Sequence, residues 1–312
     1  MAMGGDAMIY GDFALKRAAL STGIALDYAD IGPRDGDALI FLHGFPESHR
    51  TWRNQLVHLS DQYRCIAPDQ RGYCQSDKPD GVDNYSADKL TADIFALADH
   101  LGIDRFTIVG HDWGGAIAWS VALNGMANGR VVRAIIANAP HPALFQRLLI
   151  TNTDQRAASQ YMRAFRDTAH DAMIESQGLA AFLTSVTKWQ AADLMDDAER
   201  TRQMAAWAVP GAAIAMLNWY RAAQMIVPAM GDDVALPAFL NAPFPPLTIP
   251  TLVLWGMEDL ALPPCNLDGL DALVTQLTVQ PIAGAGHFTP WLAPDAVNNA
   301  MRAWLGAHPV AA

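Results

Sequence analysis

The chain is poor in cysteine, poor in basic residues and without long apolar runs, and each shortage excludes something. Three cysteines, Cys65, Cys74 and Cys265, are too few and too odd in number for a disulfide framework, and no CxxC pair offers a zinc ligand set. Reduced thiols in a cytoplasmic protein are expected. Lysine and arginine number 21 against 32 aspartates and glutamates, a formal charge of −11. That balance argues against nucleic acid or an anionic membrane as partner, since both demand basic patches. No segment reaches the roughly 18 uninterrupted apolar residues of a membrane span. The opening MAMGGDAMIYGDF has neither the basic start nor the apolar run of a signal peptide. A GxSxG serine motif is also missing, which weighs against an ordinary serine esterase.

What is present is ample apolar material, 51% of 312 residues, arranged in alternation. Phe13 to Leu20 and Ile24 to Ile31, parted by Ser21-Thr22-Gly23, read as a β-hairpin. Strands are expected at Asp37 to Leu42, Tyr63 to Ala67, Phe106 to Val109 and Val131 to Ala139, with helices at Trp52 to Leu59 and at Ser86 to Leu101, the latter capped by Ser86. From Pro140 to about Pro246 the strand signal vanishes into segments rich in Ala, Gln, Met, Arg and Trp, closed by a proline-rich linker from Pro243 to Pro250. Thr251 to Trp255 and Leu277 to Ile282 resume the strands, and Pro294 to Leu305 is a closing helix. The reading is an α/β fold: residues 1–139 and 247–312 form a core with a mostly parallel sheet flanked by helices, and 140–246 form an inserted helical cap. Ligands of such a sheet bind beyond the carboxyl ends of its strands.

The chemistry concentrates at Gly110-His111-Asp112-Trp113-Gly114-Gly115, between a strand and an apolar helix. Small residues flanking one central residue are the pattern of a nucleophile elbow, a tight turn that pushes a single strained side chain out over the sheet edge. Here that residue is Asp112. A carboxylate is ionised at neutral pH and needs no base to attack carbon; attack on an sp3 carbon leaves an ester that an activated water must cleave. Taken alone, the hexapeptide also suits an aspartate that merely caps the helix.

A base for the second step follows from position. Gly256-Met257-Glu258-Asp259 ends one later strand and Gly284-Ala285-Gly286-His287 ends another, so both loops emerge at the elbow's edge. His287 is the candidate base and Asp259 its orienting acid, with Glu258 the rival whose side chain points the other way. Oxyanion donors are expected from the backbone amides of Trp113 and Phe45, since Pro46 has no N–H to give. His43, Asp69, Arg71 and His111 read as bracing residues.

Together, HGFPES (43–48), DQRGYCQSDKP (69–79), GHDWGG (110–115), NWYR (218–221), GMED (256–259) and GAGHF (284–288) resemble the α/β-hydrolase-fold epoxide hydrolases, over about residues 10–307. The resemblance implies that two cap tyrosines hold the epoxide oxygen. Tyr220, in NWYR, matches the family's second tyrosine motif, and Tyr161, in ASQY, matches the first more loosely. It further implies an apolar pocket bounded by Trp113, Trp219 and Phe45, a small apolar epoxide and water as partners, a vicinal diol as product, and no cofactor or metal. An apolar cap is compatible with a homodimer.

Two alternatives stay open at this level. Haloalkane or haloacid dehalogenases would use the same Asp112, His287 and Asp259. Fluoroacetate dehalogenases, however, carry arginines where Trp113 and Gly114 stand, and their acid follows the strand that here ends in Asn138; haloalkane dehalogenases often have Asn in the place of Phe45. The second alternative is a binding protein that keeps the fold without turnover. Cys74 stands where the family usually has glycine, which leaves the turn around it open.

Overall fold

Strands form here where short β-branched and apolar runs can be buried on both faces. The computed structural model describes residues 13–187, 195–242 and 244–310. Pro243 of the expected linker and the opening stretch read above lie largely outside them. The strands are β1 (Lys16–Ala19), β2 (Ala25–Ile31), β3 (Ala38–Leu42), β4 (Arg64–Pro68), β5 (Phe106–His111), β6 (Val131–Ala137), β7 (Thr251–Gly256) and β8 (Leu277–Ile282). They make one sheet in the order β1-β2-β4-β3-β5-β6-β7-β8. β2 runs antiparallel to β1 and β4, and all pairs from β4 to β8 are parallel. Every residue of β3, β4, β5 and β7 is buried, as parallel strands covered on both faces require.

The core helices are α1 (Arg53–Leu59), α2 (Ala87–His100) and α3 (Asp112–Met126); the helices that follow β6 are α4 (Pro142–Thr151), α5 (Thr153–Ala158), α6 (Tyr161–Arg166), α7 (Asp171–Gln177), α8 (Leu179–Val186), α9 (Asp197–Trp207) and α10 (Ala212–Ala222); α11 (Thr289–Leu292) and α12 (Pro294–Ala307) follow β8. α2 and α3 cover one face of the sheet in a cluster around Ile94, Ile108 and Trp119. α1 and α12 cover the other. α12 shows why: Val297, Met301, Trp304 and Leu305 recur at helical spacing and are buried, with Pro294 in its first turn, where a missing N–H costs nothing.

Between Ala137 and Leu247 the described residues hold no strand. Their helices pack on one another through Phe165 and Phe182, both fully buried. Arg166 ties them together by donating to the carbonyls of Tyr220, Met225 and Ala223 at 2.9, 2.8 and 3.2 Å. Differences from expectation are local. The first strand begins at Lys16 rather than Phe13, and a 3-10 turn over His49–Trp52 precedes α1. Ser86 occupies the N-cap position of α2, but its side chain makes no capping bond. Cys74 keeps the tight turn in the left-handed region, at φ 48°. Among the described residues no helix is long and apolar enough to cross a membrane.

Candidate active site

The elbow is built by crowding. β5 ends at His111 and α3 starts at Asp112, whose φ of 51° lies in the left-handed region. Such a conformation costs a non-glycine residue on the order of 1–3 kcal/mol and persists where the surroundings over-determine it. Two glycines make room. A Cβ on Gly114 would fall on the carbonyl oxygens of Leu42 and His43, and one on Gly44 would fall on the Asp112 side chain itself. Backbone from the β3 loop therefore reaches the Asp112 carboxylate directly. The Phe45 N–H donates to Asp112 Oδ1 at 2.7 Å.

The other oxygen faces the histidine. Asp112 Oδ2 is 3.3 Å from His287 Nε2, and His287 Nδ1 is 2.7 Å from Asp259 Oδ2. Asp259 Oδ1 accepts the amides of Ala261 and Leu262 at 2.9 and 2.8 Å. Glu258, by contrast, is exposed. Asn138 was read only as a residue without charge, yet its amide donates to Asp259 Oδ2 at 2.8 Å. Its own oxygen accepts from the Gly256 amide at 2.9 Å and the Thr289 hydroxyl at 2.7 Å. The signal available was its place at the end of β6, beside β7.

Electrostatics follow from this arrangement. Burial alone would raise the Asp112 pKa, but the His287 hydrogen bond and charge, with His111 and the Phe45 amide, outweigh it and hold the carboxyl below its usual value. Asp259 behaves likewise: burial pushes up, while His287, the Leu262 amide and Asn138 hold it low. Burial would lower the His287 pKa, yet the Asp259 charge and the bond to Asp112 lift it well above the ordinary imidazole value. Behind the elbow, His111 sits with Nδ1 2.9 Å from Glu47 Oε2 and Nε2 2.8 Å from the His287 carbonyl. Glu47 Oε1 accepts the Trp291 N–H at 2.8 Å. Each ring nitrogen of His111 thus faces an acceptor, which fixes the ring beneath His287. His43 braces the next loop, bonding the Gly44 carbonyl and accepting the Gln70 amide at 3.0 and 3.1 Å. Asp69 is 2.9 Å from His49, and Arg71 forks onto Asp93 with two bonds of 2.7 Å.

Above Asp112 opens a cavity of about 110 Å3, lined by Asp112, Trp113, Ala116, Pro140, Pro142, Phe145, Tyr161, Met162, Met225 and Leu262. Asp112 and the Tyr161 hydroxyl bring polarity to otherwise apolar walls, the composition of a site that orients a small apolar ligand. A larger groove of about 1060 Å3 lies at the opposite end of the sheet, beside Arg130 and Arg133. Those arginines are held by Asp99 and Asp37.

Tyr161 and Tyr220 meet with ring centroids 6.3 Å apart. The Trp113 ring stands edge-on to Tyr220 at a centroid distance of 4.9 Å. Burial and the neighbouring Asp112 charge raise both phenol pKa values, so both hydroxyls stay protonated. Two side chains expected in the pocket lie behind it instead. Trp219 is buried against Tyr73 and Trp113 and donates to the Arg71 carbonyl at 3.0 Å. The Phe45 ring is buried against Phe165 and Tyr220, and it is the backbone N–H of this residue that meets Asp112. Helical spacing around NWYR did not reveal which aromatic faces the core. Among the described residues no cluster of His, Cys, Asp and Glu could hold a metal ion.

Residues 37–294 match a family described as the alpha/beta hydrolase fold. The AB hydrolase superfamily protein YfhM of Bacillus subtilis is 36% identical over 253 residues, 77% of this chain and 79% of that protein. Epoxide hydrolase 1 of Caenorhabditis elegans is 32% identical over 292 residues, 91% of this chain and 69% of that protein. A solved structure described among novel epoxide hydrolases of the alpha/beta hydrolase superfamily, from metagenomes of hot environments, is 56% identical, with a TM-score of 0.91 over 95% of this chain and 99% of its own. The Bacillus megaterium epoxide hydrolase, solved with an inhibitor, is 30% identical, with a TM-score of 0.81 over 93% of this chain and all of its own, 100%.

Proposed function

The chain belongs to the epoxide hydrolases of the α/β-hydrolase fold, and from that premise we propose that it opens epoxides to vicinal diols through an ester on Asp112. Asp112 Oδ2 bonds to an epoxide carbon while the ring C–O bond breaks. The bonding pair passes to the epoxide oxygen, which takes a proton from Tyr161 or Tyr220. Both tyrosines are buried phenols, which keeps them in the donor form until an alkoxide develops. Oδ1 is already engaged by the Phe45 amide, which leaves Oδ2 as the attacking atom.

In the second step water adds to Cγ of Asp112 and gives its proton to His287 Nε2. The carbonyl π electrons move to Oδ1, held by the Phe45 amide and by that of Trp113, one of the first N–H groups of α3, which have no partner within the helix. Collapse of this intermediate expels the diol oxygen, which takes the proton back from His287. The carboxylic acid left on Asp112 gives its proton, through solvent, to the tyrosine deprotonated in the first step, so that carboxylate and phenol are both restored. The electrostatics fit this sequence. Esterification removes the Asp112 charge, one of the causes that lift the His287 pKa, and so frees the imidazole to act as base. Residues 140–246 serve as a cap that supplies the tyrosines and excludes water.

The observation that carries this reading is the nucleophile at a left-handed elbow, within reach of His287 and at the floor of a cavity that Tyr161 lines. The test is a paired assay of purified protein: diol by mass spectrometry from aryl and alkyl epoxides, and halide release from matched haloalkanes. Diol that disappears in Asp112→Ala is expected. Halide without diol would instead select a dehalogenase, and ligand binding unchanged in a chain without turnover would select a binding protein.

A further inference from the structure

We infer that α9 positions the oxyanion-hole amide from outside, through two N–H groups that converge on the carbonyl of Pro46. The inference rests on the ester reading above. Gln203 Nε2 and Trp207 Nε1 donate to Pro46 O at 2.5 and 2.6 Å. One turn away on the same helix, Glu199 forks onto Arg50 of the following 3-10 turn, with one bond of 2.9 Å from Arg50 Nε. These hydrogen bonds to the core therefore end on Pro46 and Arg50.

That loop carries the catalytic amide. Glu47 N–H donates to the Gly44 carbonyl at 3.0 Å, closing a turn whose two central residues are Phe45 and Pro46. The Phe45 N–H points inward to Asp112 Oδ1, and the Pro46 carbonyl points outward to α9. The pyrrolidine ring fixes φ at Pro46, so the two groups are joined by few free torsions. Displacing the carbonyl displaces the amide.

α9 has no fully buried residue. An ordinary packed helix is held by apolar burial, worth roughly 1.5–3 kcal/mol for each large side chain. Here polar groups do more of the holding, with the Trp207 ring packing only partly buried against the core. Gln203, Trp207 and the Arg50–Glu199 pair are thus positioning residues: none reaches the cavity, and they act through the Phe45 amide.

The two chemical steps respond in different ways. In free enzyme the Phe45 N–H stabilises an Asp112 carboxylate that loses charge on attack, so loosening it leaves ester formation unchanged or slightly faster. In hydrolysis charge builds on Oδ1, and the same loosening slows the step. Removing an oxyanion donor outright costs about 10²–10³ in rate, and mispositioning one is expected to cost about tenfold.

The experiment is single-turnover kinetics with styrene oxide in excess enzyme, following Asp112 ester by quenched mass spectrometry, for the unsubstituted enzyme and for Gln203→Met/Trp207→Phe, which removes both donors and keeps their bulk. The expected result is hydrolysis slowed about tenfold, ester formation within about twofold, and accumulation of ester. Gln203→Lys in the Trp207→Phe background restores a donor and returns the partition. Should the double variant unfold, the single variants carry the test, each expected to slow hydrolysis about threefold. Ester and diol formed with an unchanged partition, or both steps slowed equally, would overturn the inference alone. No ester in the unsubstituted enzyme would overturn the ester reading and this inference with it.

Discussion

The two walls of the cavity are made of different material. The core wall is ionic and hydrogen-bonded: Asp112 lines the cavity, and His287 and Asp259 are joined to it in turn at 3.3 and 2.7 Å and backed by Asn138, His111 and Glu47. The cap wall is neutral and apolar: Tyr161, Met162 and Met225 line it, and Tyr220 and Phe165 pack behind Tyr161, the three rings meeting edge to face at centroid distances of 5.0 to 6.3 Å. On the proposed mechanism this divides the labour. The core wall supplies the nucleophile and the water-activating base, and the cap wall supplies weak acids that are useful only once an alkoxide forms. A single polar site would draw each proton toward the wrong partner, and separating the two sets keeps the phenols protonated beside an ionised carboxylate.

Substitutions sharpen or break that division. Asp112→Ala serves both walls' chemistry and has the largest expected effect: diol formation falls by at least about 10³-fold, read by product mass spectrometry. Tyr161→Phe with Tyr220→Phe is expected to slow ester formation about 10²-fold, each single change about tenfold because the partner hydroxyl remains, while hydrolysis of ester already formed keeps its rate. Equal slowing of both steps would erase the contrast between walls. Asn138→Ala strikes only the core wall. It removes a donor to the Asp259 carboxylate and leaves the Gly256 amide unpaired, and it should slow hydrolysis about tenfold, ~1.4 kcal/mol, with ester formation spared.

Acidity gives the finest distinction. Because its neighbours hold the Asp112 pKa below the usual value, Asp112 stays ionised as pH falls, and ester formation should remain flat down to about pH 5. His287 must be neutral to take a proton from water, and Asp259 still lifts its pKa in the ester, so the hydrolysis rate should rise with pH across the neutral range. Crossing of the two profiles, so that ester accumulates at low pH, is measurable by stopped-flow and quench.

The walls also differ in how far the sequence reveals them. The elbow was legible because its requirement is local: glycine where Gly114 meets the Leu42 and His43 carbonyls, aspartate between. The succession of strands along the chain, and hence the loops bearing Asp259 and His287, followed from periodicity and from the rule that parallel strands end at one edge. Asn138 escaped because its role depends on a side chain 121 positions away, and no spacing rule connects them. Trp219 was expected in the pocket as one of the aromatics that make it apolar, whereas its N–H turns toward the Arg71 carbonyl. Contacts of this kind, such as Gln203 with the Pro46 carbonyl across 157 positions, exist only after the helices are packed.

The central claim is that the nucleophile is Asp112 and not water. A single turnover with enzyme in excess, run in water labelled with oxygen-18, separates the two. The ester route predicts an unlabelled diol in the first turnover, its new oxygen drawn from the carboxylate, and a label in the peptide containing Asp112. A labelled diol with Asp112 unlabelled would contradict it.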